Sequence, residues 1–164
     1  MGRILGTHDP ARVEQGLRLY RERFSMAGLF ENRVYPGVPE MLASLNRVGY
    51  RLFIATSKPF VYARSIIQHF KLAEYFAGVY GSELDGRLEN TRDLVRFAVE
   101  SENLRRPDTA IVGDRGQDMF GAKGNAFCGV GVTWGYGSDR ELRDAGADVI
   151  CDAPSEVVRF LTEP

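Results

Sequence analysis

Short apolar runs alternate with amphipathic helical patterns along most of this chain. The runs are apolar at consecutive positions, as in strands that are covered on both faces. They occupy residues 51–55, 78–80, 109–112, 128–133 and 148–150. Between them, apolar residues recur every three or four positions, which is typical of helices. The alternation predicts an α/β fold with a mostly parallel sheet, and ligands of such folds bind at the carboxyl ends of the strands.

Two carboxylates follow the run at 109–112. Gly113 and Asp114 close this segment, and Asp118 comes four residues later. A strand that ends in Gly-Asp would place Asp114 at the edge of the sheet, and one helical turn would bring Asp118 beside it. Such a pair suits a hard cation, although a helix cap followed by a solvated acid explains this motif alone equally well.

A second motif closes the run at 51–55, where Thr56, Ser57 and Lys58 precede Pro59. A strand that passes into a helix here would offer hydroxyls, backbone N–H groups and a helix dipole to a phosphate. Plain helix capping is the commoner explanation of this motif by itself. The presence of both motifs at strand ends in one chain favours a joint phosphate and cation site.

Composition and charge argue against binding to nucleic acid or membranes and indicate the cellular compartment. The 164 residues suffice for one domain, and a formal net charge of -1 gives no electrostatic footprint for nucleic acid or an anionic membrane. Cys128 and Cys151 have neither CxxC spacing nor a supporting histidine, which favours buried free thiols in a reducing compartment. No signal-like apolar core or membrane-length apolar run is present, so the expected location is cytoplasmic.

The first 35 residues differ from the rest. Val13, Leu17, Tyr20 and Phe24 recur at helical spacing without a preceding strand. This pattern predicts a helical appendage over residues 1–35 and an α/β region over 36–164.

Near the C-terminus, Ser138 and Glu141 form a capping-box pattern that predicts the start of a helix. Trp134 and Tyr136 precede it. They could lie at the edge of the site, but aromatic packing in the core is their expected role.

Four segments together resemble the haloacid dehalogenase (HAD) superfamily, specifically its phosphoglycolate phosphatase-like branch. They are VYPGVPEMLASLNRVGYRLFIATSKP, YFAGVYGSELDGRL, AIVGDRGQDMFGAKGN and GVTWGYGSDRELRDAGAD. The resemblance implies a Rossmann-like parallel sheet flanked by helices, with residues 1–35 as the remnant of a helical cap. It also implies hydrolysis of a phosphate monoester through an aspartyl-phosphate, with Mg²⁺ as cofactor.

The resemblance assigns roles to the two motifs. Thr56 would hydrogen-bond the phosphoryl group, with Ser57 beside it. Lys58 is an available cation for the phosphate, and a solvated lysine at a helix start explains it equally well. Asp114 would ligate Mg²⁺, and Asp118 would support the metal site. The implied substrate is a small phosphorylated metabolite, with phosphoglycolate and a nucleoside monophosphate as comparable alternatives.

The chain departs from the family at the nucleophile. Members open with a strand ending in DxDGT, and no such motif precedes Thr56. The similar segment at 83–87 has Glu for the nucleophile and Arg for Thr, and a turn at Asp85-Gly86 is the simpler interpretation. The family's phosphate-neutralising lysine aligns with Thr91. Arg92 could replace it, although a helix capped by Asn90 with a solvated Arg92 is favoured.

The absent strand lies, in the family, between the strands that end at Thr56 and Gly113. We therefore expect these neighbours not to pair directly, and Ile54 and Val112 on adjacent paired strands would contradict this expectation. Residues 1–7, a second copy in a homo-oligomer or a complementing chain could fill the position. By this interpretation the chain is a phosphatase that is inactive as it stands. It could be a fragment, a sequence whose start is misassigned, or one part of a complemented whole. The alternative is a non-catalytic relative that binds phosphate or a partner.

Overall fold

The computed structural model describes residues 4, 6–83, 87–88 and 90–163, in two compact units, Met1–Arg33 and Val34–Pro164. The first unit contains helix α1 (Pro10–Met26) and a 3-10 helix (Gly28–Phe30). Helix α1 begins where Asp9 accepts a hydrogen bond from the backbone N–H of Ala11 at 3.0 Å. Helical structure was predicted here, and the assignment to a cap stays a prediction.

The second unit alternates strand and helix, as predicted. Its helices are α2 (Val38–Arg47), α3 (Phe60–His69), α4 (Thr91–Glu102), α5 (Gly116–Asn125), α6 (Asp139–Asp144) and α7 (Pro154–Thr162). Its strands are β1 (Leu52–Pro59), β2 (Phe76–Ser82), β3 (Ala110–Gly113), β4 (Cys128–Val132) and β5 (Val149–Cys151). Short 3-10 helices occupy Ala73–Tyr75 and Arg106–Asp108. All five predicted runs form strands.

The strands form two parallel sheets. One contains β1 and β2, with Ile54 opposite Val79. The other has the order β3-β4-β5, with Val130 of β4 opposite both Val112 and Val149. Among the described strands, β1 and β3 do not pair with each other. This confirms the expectation that the two neighbours of the absent strand do not simply close up.

The core lies around the three-stranded sheet and the helices that cover it. Its largest fully buried side chains are Leu94, Met119, Leu142, Val130, Val157 and Cys151. Helix α4 contacts β1, β2 and α5, and α5 in turn contacts β3 and β4. The packed pair α4 and α5 therefore links the two sheets within this unit.

Burial on both faces was predicted for all five strands, and this is wrong for β1 and β3. Ala55 of β1 is exposed, and Val112 of β3 is 40% exposed. In the described part of the chain each of these strands has one strand neighbour, whereas the well-buried β4 lies between two. The side without a strand neighbour is less covered because side chains on adjacent strands shield one another.

Both cysteines are free, as predicted, and burial raises the pKa of each thiol. Within the described residues, no helix combines the length and the apolar character needed to cross a bilayer.

Candidate active site

The acidic loop, residues 113–118, comprises the end of β3, the turn that follows it and the start of α5. Asp118 lies in the first turn of α5, and its Oδ2 accepts a hydrogen bond from the backbone N–H of Arg115 at 3.0 Å. Its carboxylate also lies against Gly113, where any Cβ would overlap it. Burial raises the pKa of Asp118, the Arg115 N–H opposes that shift, and the charge of Asp114 adds to it. The Asp118 carboxylate therefore stabilises the backbone conformation of the acidic loop by contacts within the loop.

Asp114 is held by the loop that follows β4, residues 133–137. The backbone N–H of Tyr136 donates to Asp114 Oδ2 at 2.7 Å. A Cβ at Gly135 would overlap the Asp114 carboxylate, and one at Gly137 would overlap the Asp114 carbonyl oxygen. The loop thus packs directly on Asp114 and fixes one of its two carboxylate oxygens.

Glu141 connects α6 to the acidic loop. The predicted cap is present, since Ser138 Oγ accepts from the Glu141 backbone N–H at 3.1 Å. The Glu141 side chain takes a different direction: its Oε1 accepts from the Gly116 backbone N–H and from Arg115 Nε, each at 2.9 Å. The Gly116 N–H, followed by Arg115, holds the pKa of Glu141 below its ordinary value.

The second motif lies at the end of β1, and α3 begins directly after it, as predicted. Thr56 Oγ1 accepts from the Lys58 backbone N–H at 3.2 Å, and the Ser57 carbonyl accepts from Ser82 Oγ at 2.8 Å. Gly81 passes so near that a Cβ there would lie 2.7 Å from the Lys58 carbonyl oxygen. The end of β2 therefore holds the turn, while Thr56 is half-buried and Ser57 and Lys58 are exposed.

The predicted site residues fall into two groups at the carboxyl ends of different sheets. Asp114 and Asp118 follow β3, and Thr56, Ser57 and Lys58 end β1. These are the two strands that are not paired with each other in the described residues.

Arg92 lies apart from the acidic loop. It is in the first turn of α4, and its Nε would be 2.9 Å from a Cβ at Gly124, near the last turn of α5, whereas Asp118 is in the first turn. Its backbone N–H donates to Asn90 Oδ1 at 2.9 Å, which confirms the Asn90 cap. In the segment that mimics DxDGT, Glu83 pairs with Arg87 at 2.7 Å, and the predicted Asp85-Gly86 turn lies outside the described residues.

The carboxylates of Asp114 and Asp118 are of the ligand type that Mg²⁺ prefers. Mg²⁺ is held in proteins by oxygen ligands, commonly one or two carboxylates completed by water and substrate phosphate. Asp114 and Asp118 provide two adjacent carboxylates. In the part of the chain that the structure describes, no group of three or more His, Cys, Asp or Glu side chains is placed to hold a metal. The two carboxylates therefore fit part of a Mg²⁺ site.

Sequence reasoning missed the contact of Glu141 and the role of the Tyr136 backbone. Glu141 contacts the acidic loop from 25 residues away, and nothing local in the sequence indicates that contact. Tyr136 was expected in the core, which is wrong: its side chain is 86% exposed, and its backbone is what holds Asp114. Trp134 does pack against the core around Val130 and Val132.

Residues 6–131 match the haloacid dehalogenase-like hydrolases, and the chain belongs to that family. It is 44% identical to a 5'-nucleotidase of Pseudomonas aeruginosa over 82% of this chain and 61% of that protein. It is 24% identical to a phosphoglycolate phosphatase of Vibrio parahaemolyticus over 90% of this chain and 64% of that protein. A solved predicted phosphatase from Clostridium acetobutylicum superposes with a TM-score of 0.87 at 42% identity, covering 90% of this chain and 68% of that one.

The chain thus spans less than two thirds of the length of these two curated relatives.

Proposed function

We propose that the acidic loop and the turn at the end of β1 form the metal- and phosphate-binding part of a Mg²⁺-dependent phosphate-monoester hydrolase. The observation that carries the proposal is the Asp114 carboxylate, which is fixed at the carboxyl end of β3 by the Tyr136 N–H in a chain of this hydrolase family. Asp114 and Asp118 would hold the cation, and Thr56 with Lys58 would bind the phosphoryl oxygens. When bound, Mg²⁺ would offset the negative charge that develops on the phosphoryl group.

The nucleophile is the missing part. The 164 residues contain no DxDGT sequence, so no carboxylate of that motif can attack phosphorus. Thr56 can donate a hydrogen bond and Asp114 can bind a cation, but neither replaces an in-line nucleophile. We therefore expect these residues alone to turn over no substrate.

The position of the two open strands supports complementation by a further strand. β1 and β3 each have one strand neighbour among the described residues, and each ends at one half of the site. A parallel apolar strand between them would satisfy backbone groups on both edges. A carboxylate directly after such a strand would then lie between Thr56 and Asp114.

The substrate we propose is a nucleoside monophosphate. The relative at 44% identity is named a 5'-nucleotidase, whereas the phosphoglycolate phosphatase is 24% identical. Phosphoglycolate is the alternative substrate. The non-catalytic alternative is not favoured, because these relatives are named as phosphate-ester hydrolases.

Turnover of p-nitrophenyl phosphate with Mg²⁺ tests the proposal. The chain alone should show no hydrolysis above its Asp114→Asn variant. Addition of a synthetic peptide, about five apolar residues followed by Asp-x-Asp-Gly-Thr, should produce hydrolysis. A matched peptide with Asn in place of its first Asp should produce none. With the active peptide, AMP should be hydrolysed faster than phosphoglycolate.

Robust hydrolysis by the chain alone that disappears in Asp114→Asn would show that the nucleophile lies within these residues. Equal activity with the Asn peptide would exclude its first Asp as the nucleophile.

A further inference from the structure

Arg115 is a cation inserted between the two carboxylates of the acidic loop. It directly follows Asp114, and its backbone N–H is already bonded to Asp118. Its side chain, however, is bonded through Nε to Glu141 of α6 at 2.9 Å. The guanidinium is therefore neutralised by a residue outside the loop.

The alternative partners of this guanidinium are Asp114 and Asp118 themselves. A long, flexible side chain that is 53% exposed can reorient, and a carboxylate next to it in the chain is an available acceptor. Pairing with either one would place a positive charge where a divalent cation must bind. The contact with Glu141 disfavours that pairing, while the guanidinium still interacts with both aspartate charges at longer range.

Hydrogen bonds fix both the side chain and the backbone of Glu141 in position to bind Arg115. The Gly116 backbone N–H donates to the same Oε1, and the backbone of Glu141 is fixed by the Ser138 cap. Since Gly116 begins α5, the Glu141 carboxylate also lies at the N-terminus of that helix, where negative charge is stabilised.

We propose that Glu141 is a positioning residue that keeps the Arg115 side chain from pairing with the Asp114 and Asp118 carboxylates and so leaves them available to a divalent cation. The proposal rests on the metal-binding role proposed above for those two residues. It predicts that Glu141 influences metal affinity through Arg115 and not through its own charge.

The experiment measures Mn²⁺ affinity by isothermal titration calorimetry for the native chain, Glu141→Gln, Arg115→Gln and the double variant. In Glu141→Gln the new amide retains an acceptor for the Gly116 N–H but lacks the charge that holds Arg115. Affinity should fall about threefold to fivefold in Glu141→Gln, the upper part of the range for an exposed charge pair. Arg115→Gln and the double variant should bind as the native chain does.

The matched control is Asp139→Asn, which removes the same charge from the same helix. Asp139 pairs with Arg143 at 2.8 Å and not with Arg115, so this variant should bind Mn²⁺ like the native chain. An equal loss in Asp139→Asn would assign the effect to net charge and overturn the proposal. Unchanged affinity in Glu141→Gln would also overturn it. So would strict additivity, in which Arg115→Gln strengthens binding as much as Glu141→Gln weakens it.

A second measurement needs no metal. The carboxyl carbon shifts of Asp114 and Asp118 should move in Glu141→Gln and return in the double variant with Arg115→Gln. If the native chain binds Mn²⁺ no better than Asp114→Asn, the metal-binding part of the proposed function fails. The carboxyl carbon shifts then test the positioning role of Glu141 independently of metal binding. If they do not move in Glu141→Gln, that role is wrong.

Discussion

At the scale of single residues, backbone groups and glycines build the candidate site as much as carboxylates do. Asp114 is fixed by a backbone N–H at Tyr136, and the chain can approach it because positions 135 and 137 have no Cβ. Asp118 in turn bonds the backbone of Arg115. The carboxylates are therefore oriented before any ligand binds, which lowers the cost of binding one.

Gly137→Ala tests the close approach of the 133–137 loop to Asp114. The added methyl would overlap the Asp114 carbonyl oxygen, which is backbone and cannot rotate away. The free energy of unfolding should fall by about 1–3 kcal/mol, as for an overpacked buried position. Urea unfolding, followed by Trp134 fluorescence, measures the loss.

The control for that variant is Gly121→Ala. Gly121 is also buried, but a Cβ there would lie 3.5 Å from Thr91 Cγ2, an ordinary contact. Alanine inside a helix should be neutral or raise stability by up to about 1 kcal/mol. Equal stability of the two variants would contradict the predicted clash.

At the scale of elements, one polar cluster ties the two-stranded sheet to α4. Tyr80 of β2 donates to Glu102 Oε1 at 2.6 Å, and Arg51, just before β1, donates to Oε2 at 2.5 Å. Arg51 also lies over the Phe53 ring at 5.0 Å. Burial, followed by the hydrogen bond to Glu102, raises the pKa of Tyr80 to about 12. The cluster fixes the last turn of α4 against β1 and β2.

Tyr80→Phe should lower the free energy of unfolding at pH 8 by about 1 kcal/mol, the usual value of one hydrogen bond. Because the folded pKa lies above the ordinary value of 10.0, the contribution is complete below that value and is lost as pH rises from there toward about 12. The difference between native and variant should therefore shrink when urea unfolding is repeated at pH 11. The exposed Tyr35→Phe serves as control and should show neither the loss nor the pH dependence.

The elements were predictable from the sequence because their signals are local. Apolar runs marked every strand, and Asn90 and Ser138 marked helix starts that the structure confirms. The bond from Glu141 to Gly116 and the exposure of Tyr136 were not predictable, because each depends on how distant segments meet. The exposure of Val112 was missed for the same reason, since a run of apolar residues predicts burial whether or not a neighbouring strand is present.

At the scale of the whole molecule, the unpaired edges of the strands indicate where another chain can bind. β1 and β3 each present an edge without a strand partner among the described residues, and Val112 on β3 is 40% exposed. Open edges next to apolar side chains pair readily with other chains. A net charge of -1 gives little repulsion between copies to oppose this.

We therefore predict concentration-dependent self-association that depends on the β3 edge. Sedimentation velocity over a range of concentrations should show oligomers for the native chain. Val112→Lys should shift the distribution toward monomer, because a lysine on an edge strand opposes pairing with another strand. Val48→Lys makes the same change at a residue that is 58% exposed directly after α2 and is not part of a strand, and it should leave association unchanged. A native chain that stays monomeric at every concentration, or equal effects of the two lysines, would exclude the edge as the site of association.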